Sequence, residues 1–144
     1  MFFLYIAAKR KFIKMIVMTP LTRFTIEFPI KVSPKLLFTL ISTSEGLARW
    51  FADKVNVNND VYDFEWEGSH QTARLLESKE PEYVKFEWTD DFHEGFTLEM
   101  RITHEPVSGE SALIVSDYAE DNDIEFTQMW WSTQVGRLQR MFNN

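Results

Sequence analysis

The chain has 144 residues and no cysteine. That absence excludes disulfides, a thiol nucleophile and any thiolate metal site, and it fits a reducing, cytoplasmic setting. Glycine and proline are scarce, five of each. No glycine-rich phosphate loop, nucleophile elbow or flexible linker can be drawn from so few, and no internal repeat is visible. No apolar run approaches the ~20 residues of a membrane span, so stable membrane insertion is not expected. Basic residues are outnumbered, 15 against 22 acidic, for a net charge of −7. Four of the cations, Lys9, Arg10, Lys11 and Lys14, fall in the first eighteen residues, which hold no acid; the remainder is therefore near −11. Nucleic acid requires a concentrated basic surface, so it is not an expected partner.

What is plentiful is aromatic side chain, 15% of the residues. A chain of this length forms one domain with a real core, and much flat apolar surface must be placed in it. The start, MFFLYIAAKRKFIKMIVM, differs in kind from the rest of the chain. Its charges come after its apolar run, the reverse of a secretory signal. Residues 1–18 are read as an extension, with translation beginning naturally at Met15 or Met18 and a weak surface anchor as the alternative. The domain is placed at 19–144.

Along that domain the apolar period alternates between two and three to four. Phe24, Ile26 and Phe28 alternate with Thr25 and Glu27, the pattern of a half-buried strand. Ser33 before Pro34 is a helix start, and Leu36, Leu37, Leu40 and Ile41 come next at helical spacing. Thr43 or Ser44 caps a second short helix that carries Leu47, Trp50 and Phe51 at i, i+3 and i+4. Strand patterns then succeed one another: Tyr62, Phe64 and Trp66; Val84, Phe86 and Trp88; Phe96, Leu98, Met100 and Ile102; and the more continuously apolar SALIVSDYAE. Their tight connections predict antiparallel pairing. The last segment, from about Asp121 to Phe142, is a helix with Ile124, Gln128, Trp131, Val135, Leu138 and Phe142 on one stripe; Gln128 is its only polar member. Trp130 falls one step off this stripe, where it covers a cavity, touches a partner or packs on the sheet. The predicted class is α+β: a curved antiparallel sheet wrapped around a long C-terminal helix, with two short helices after the first strand.

The segments SPKLLFTLISTSEGLARWFADKVNV, VYDFEWEGS, YVKFEWTDD, ALIVSDYAE and WWSTQVGRLQRMF resemble the START-like, or SRPBCC, superfamily with its helix-grip fold. The similarity is greatest to bacterial START-like domain proteins, and EGLARWFA also resembles homologues of the activator of the heat-shock ATPase. The resemblance runs from about residue 20 to the end. It implies a groove between sheet and last helix that holds an apolar or amphipathic, lipid-like molecule. Trp50, Phe51, Phe64, Trp66, Phe86, Trp88, Leu98, Met100, Gln128 and Trp131 are then the expected ligand contacts, with Trp50 and Phe51 near the mouth. It also implies an alternative, a protein-interaction or chaperone-associated module or homodimer without ligand, and more remotely a cyclase- or hydrolase-type enzyme.

The remaining residues point to no chemistry of their own. His70, His93 and His104 lack ligand spacing, and His93 with Asp90, Asp91 and Glu94 reads as a solvated turn, so no metal is expected. Glu65, Glu67, Glu87 and Glu99 take outward strand positions. Asp117, Glu120, Asp121, Asp123 and Glu125 read as a solvated helix start. No catalytic residue and no cofactor is assigned. The expected partners are a small apolar ligand, a second copy or a chaperone.

Overall fold

The computed structural model describes residues 20–89 and 95–142. The element order is β1 (Thr22–Ile30), α1 (Pro34–Ser42), α2 (Ser44–Leu47), β2 (Lys54–Asn58), β3 (Val61–Trp66), β4 (Ser69–Lys79), β5 (Tyr83–Trp88), β6 (Thr97–His104), β7 (Ser111–Ala119), a 3-10 turn (Asp121–Asp123) and α3 (Ile124–Phe142). The seven strands form one antiparallel sheet in the order β1-β7-β6-β5-β4-β3-β2. This is the predicted α+β helix-grip class: a curved sheet, one long C-terminal helix and two short helices inserted after the first strand.

Local chemistry accounts for each boundary. Ser33 caps α1, its hydroxyl accepting from Leu36 N at 3.2 Å, and Pro34 comes next, where no N–H is needed. Thr43 both ends α1 and starts α2, accepting from Gly46 N at 3.0 Å. The β3–β4 hairpin turns on Glu67 and Gly68, both at positive φ as a two-residue type I′ turn requires. In β4 the register slips between Leu75 and Glu77, and the intervening Leu76 is left exposed.

The period-two reading of the strands holds. Tyr62, Phe64 and Trp66, Val84, Phe86 and Trp88, and Leu98, Met100 and Ile102 are all buried. The long helix differs from expectation in its facing. Its buried residues are Thr127, Trp130, Trp131, Gln134, Val135 and Leu138, whereas Gln128 and Phe142 are only half-buried. Two adjacent tryptophans are both covered because the helix is packed over a wide arc, by the sheet and by the segment after α2. Trp130 is therefore core, 3% exposed, and offers no anchor to a partner. Residues 1–18 and the segment expected to be a solvated turn, with Asp90, Asp91, His93 and Glu94, lie outside the described residues.

Candidate functional site

The segment that runs on from α2 is where sheet, short helices and α3 meet. Leu47, Trp50 and Phe51 are buried together, and Phe51 N closes a turn onto Leu47 O at 2.8 Å. Trp50 turns toward α1 and α3: its indole N–H donates to Leu40 O at 2.8 Å, and its ring lies 6.4 Å from that of Trp131. Phe51 points into the sheet. Its ring stacks on Trp131 at 5.4 Å and 27°, and meets Phe64, Trp66 and Trp130 edge-on at 5.0, 5.4 and 5.8 Å. These are the separations and tilts that aromatic quadrupoles prefer. Phe64 continues the cluster to Phe86 and Trp88 at 6.2 and 6.1 Å.

Several polar groups inside the cluster are engaged by neighbours. Trp66 Nε1 donates to Phe51 O at 2.8 Å, and Gln134 Nε2 donates to Phe51 O at 2.9 Å and to Trp50 O at 3.4 Å. Three buried donor contacts thus hold the carbonyls of a segment that has left its helix, which is how an irregular backbone is tolerated inside a core. Trp131 Nε1 donates to Asp117 Oδ2 at 3.0 Å, and the Tyr118 amide donates to Asp117 Oδ1 at 2.8 Å. Tyr62 OH donates to Ser42 O at 2.7 Å, and burial pushes its phenol above the usual 10.0.

Of the ten residues expected to contact a ligand, Trp50, Phe51, Phe64, Trp66, Phe86, Trp88, Leu98, Met100 and Trp131 are brought into one cluster, each 2% exposed or less. Gln128 is not buried with them. Sequence reasoning left Trp130 open among three roles and missed Gln134. The signal for both was the four-residue step Trp130, Gln134, Leu138, running beside Trp131, Val135, Leu138. A side chain that lines a hollow able to admit water keeps accessible surface against it. Phe51, Phe64, Trp66, Phe86, Leu98 and Met100 keep none. In this conformation the expected walls pack on one another.

The acidic run also needs correction. Asp117, Glu120 and Asp123 are 3%, 4% and 1% exposed rather than solvated, because strand parity turns 113, 115, 117 and 119 inward and the chain folds back at once into α3. Other candidates lie on the outer sheet face. Glu65 pairs with Lys54 and His70, Glu87 with Arg74, and Glu99 with Arg101. His70 is set between Asp63 and Glu65, at 3.0 and 3.1 Å. Among the described residues no three His, Asp or Glu side chains are placed to hold a metal ion, and no helix is long and apolar enough to cross a membrane. Two surface hollows bordered by described residues lie away from the ring cluster. One of about 690 Å³ is lined by Lys31, Ser33, His104 and Glu110; one of about 210 Å³, on α3, is lined by Asn122, Glu125, Phe126 and Met129.

The fold and its interior define a START-like domain. The chain belongs to that superfamily: the model of the START-like superfamily domain matches residues 18–143. Among solved structures it is similar to the Aha1 dimer from Colwellia psychrerythraea, at 12% identity and a TM-score of 0.74, covering 84% of this chain and 96% of that one. It is also similar to XoxI from Bacillus cereus, at 17% identity and a TM-score of 0.74 over 85% and 96%, and to BfR322 from Bacteroides fragilis, at 25% identity and a TM-score of 0.60 over 84% and 90%. No curated protein matches the chain.

Proposed function

We propose that this START-like domain is a cytoplasmic binding module that engages its partner at its surface, without chemistry of its own. The observation that carries the reading is the interior: nine of the ten residues expected to wall a ligand site are 2% exposed or less, with ring centroids 5.0 to 6.4 Å apart. A binding function then falls to the exterior, where α3 presents Phe126 and Met129, 49% and 59% exposed. The Colwellia protein of the same fold is a dimer, and a protein partner, a chaperone or a second copy, fits this reading. The cysteine-free composition supports the cytoplasmic placement.

The family favours a second reading, an apolar or amphipathic ligand enclosed by Trp50, Phe51, Phe64, Trp66, Phe86, Trp88, Leu98, Met100 and Trp131, with Gln128 at its margin. This reading requires the ring cluster to open. One experiment separates the two. The purified protein is extracted for co-purified lipid, then titrated with a fluorescent fatty acid while tryptophan emission is followed. The surface reading expects no bound lipid and no saturable quenching. Saturable one-to-one uptake that quenches the buried tryptophans overturns it in favour of the enclosed ligand.

A further inference from the structure

We propose that the free edge of β2 is a self-association site, on which β2 of a second copy lies antiparallel and joins the two seven-stranded sheets into one. This goes beyond the surface-binding reading, which rests on the interior and not on this edge. An edge strand carries backbone N–H and C=O groups with no ladder partner on one side. At the β1 edge that exposure is managed: Pro29 brings no N–H, and Gln139 Nε2 of α3 donates to Pro29 O at 3.0 Å. β2, Lys54–Asn58, holds no proline, and among the described residues no hydrogen bond is made to the outward side of Val55 or Val57.

The register fixes which groups point outward. Asn58 and Val61 pair across the two-residue turn Asn59-Asp60, and such a pair exchanges both of its hydrogen bonds. Alternation then aims the backbone groups of Asn58, Asn56 and Lys54 at β3 and those of Val55 and Val57 at solvent. Val55 lies opposite Phe64 and Val57 opposite Tyr62, so both valine side chains share the apolar face; Val55 packs on the core, whereas Val57 is 41% exposed. A two-fold axis at Asn56 sets Val55 of each copy against Val57 of the other. This register engages the outward groups of both valines in both copies, in four backbone hydrogen bonds. On the apolar face the valines meet in two pairs, which covers the open flank of Val57. On the other face Asn56 meets its own copy, amide to amide. Lys54 meets Asn58 of the second copy, with Asp60 of that copy diagonally beyond it and within reach of a lysine. Within the chain Lys54 stands 3.8 Å from Glu65 and Asp60 stands 3.9 Å from Arg74, so the added contact continues an alternation of signs and opposes no like charges.

One short strand pair is a small interface, so the dimer is weak and reversible. Sedimentation of the full chain from about 10 µM to about 1 mM, a range matched to such an interface, should show a concentration-dependent dimer. Amide exchange identifies the edge. The Val55 and Val57 N–H groups exchange freely in dilute solution and slow about tenfold at the highest concentration, while those of Asn56 and Asn58 are protected at both. Val57→Pro removes an outward donor that β3 does not use, so circular dichroism stays native and the dimer is lost. Lys54→Glu weakens it about tenfold, and Lys54→Glu combined with Asp60→Lys restores it. Because the chain has no cysteine, Asn56→Cys supplies the only thiol, on the two-fold axis, and a short bis-maleimide should join two copies through it; Val107→Cys, 95% exposed, should not be joined. A monomer at every concentration overturns the inference, and so does a dimer in which the Val55 and Val57 amides still exchange freely. If Val57→Pro does not fold, amide exchange and the Asn56→Cys crosslink decide the matter. The surface reading survives each of these results and falls to a separate one, ligand uptake by the ring cluster.

Discussion

Gln134 is the polar side chain on which the interior of this domain turns. It is 1% exposed, and its amide nitrogen donates to the carbonyls of Phe51 at 2.9 Å and Trp50 at 3.4 Å. Replacing it with leucine keeps the volume and removes the donor. Phe51 O retains the Trp66 indole at 2.8 Å, so the loss falls mainly on Trp50 O, which becomes a buried acceptor without that donor. Such a group costs about 1–3 kcal/mol. Leucine returns part of this through apolar transfer, which leaves a net destabilisation of about 1–2 kcal/mol. Gln128→Leu is the internal control. It lies on the same helix, is half-buried and makes no comparable contact, so its effect stays within about 0.5 kcal/mol. Urea unfolding tracked by circular dichroism measures both, with midpoints shifted and slopes unchanged. If Gln134→Leu is as stable as the parent chain, or if Gln128→Leu is the more damaging of the two, the account of how the post-α2 segment is held in place is wrong.

Two further substitutions probe the joint between the short helices and the sheet. At Gly46 a methyl group runs into two backbone atoms, Thr39 O and, at 2.7 Å, Leu40 Cα. Gly46→Ala should therefore destabilise by about 1–3 kcal/mol through overpacking, against the stabilisation of up to ~1 kcal/mol that helix propensity alone predicts; the sign of the midpoint shift in urea decides. Burial raises the Tyr62 phenol above 10.0 in the folded chain, so folding favours its neutral form. Its contribution is complete below pH 10 and is lost as pH rises through the folded value. Tyr62→Phe loses the bond to Ser42 O, about 1 kcal/mol at neutral pH, but stability should fall less steeply from about pH 9 to about pH 11; an unchanged slope refutes the burial argument.

The sheet was legible because each strand carries its own two-residue period, and the period depends on nothing distant. Ser33, Pro34 and Thr43 were legible for the same reason: a cap is a contact between neighbours in sequence. The facing of α3 was not. A helix read alone offers two adjacent stripes, one through Gln128 and Trp131 and one through Trp130 and Gln134, and hydropathy favours neither. The choice is made by the Trp50 and Phe51 carbonyls, some 84 residues away, which need the amide that Gln134 supplies. The burial of Asp117 was hidden likewise, since its partner is an indole on another element. For the candidate site, the sequence named rings that do come together in one cluster, but not the space between them. Whether apolar residues that face one another enclose a hollow or fill it depends on distances of an ångström or two, and those are set only when every element is in place.

The paired rings at positions 50 and 51 decide what this interior can accept. Besides the ring of Trp50, Phe51 touches four rings from β3 and α3, and its carbonyl takes two of the buried hydrogen bonds. A ligand entering between sheet and helix must displace it. Exposing the ring costs about 1.5–3 kcal/mol, and parting its carbonyl from two donors costs about 1–3 kcal/mol more. Micromolar binding is worth about 8 kcal/mol. Between about a third and three quarters of that would be spent on opening the core before any net affinity appeared. A molecule small enough to fit where one phenyl ring had been has too little apolar surface to meet such a demand. A partner that settles on the outside of α3 meets none of it, because Phe126 and Met129 are already turned to solvent. The energetics therefore favour the exterior for the same reason that the core is stable.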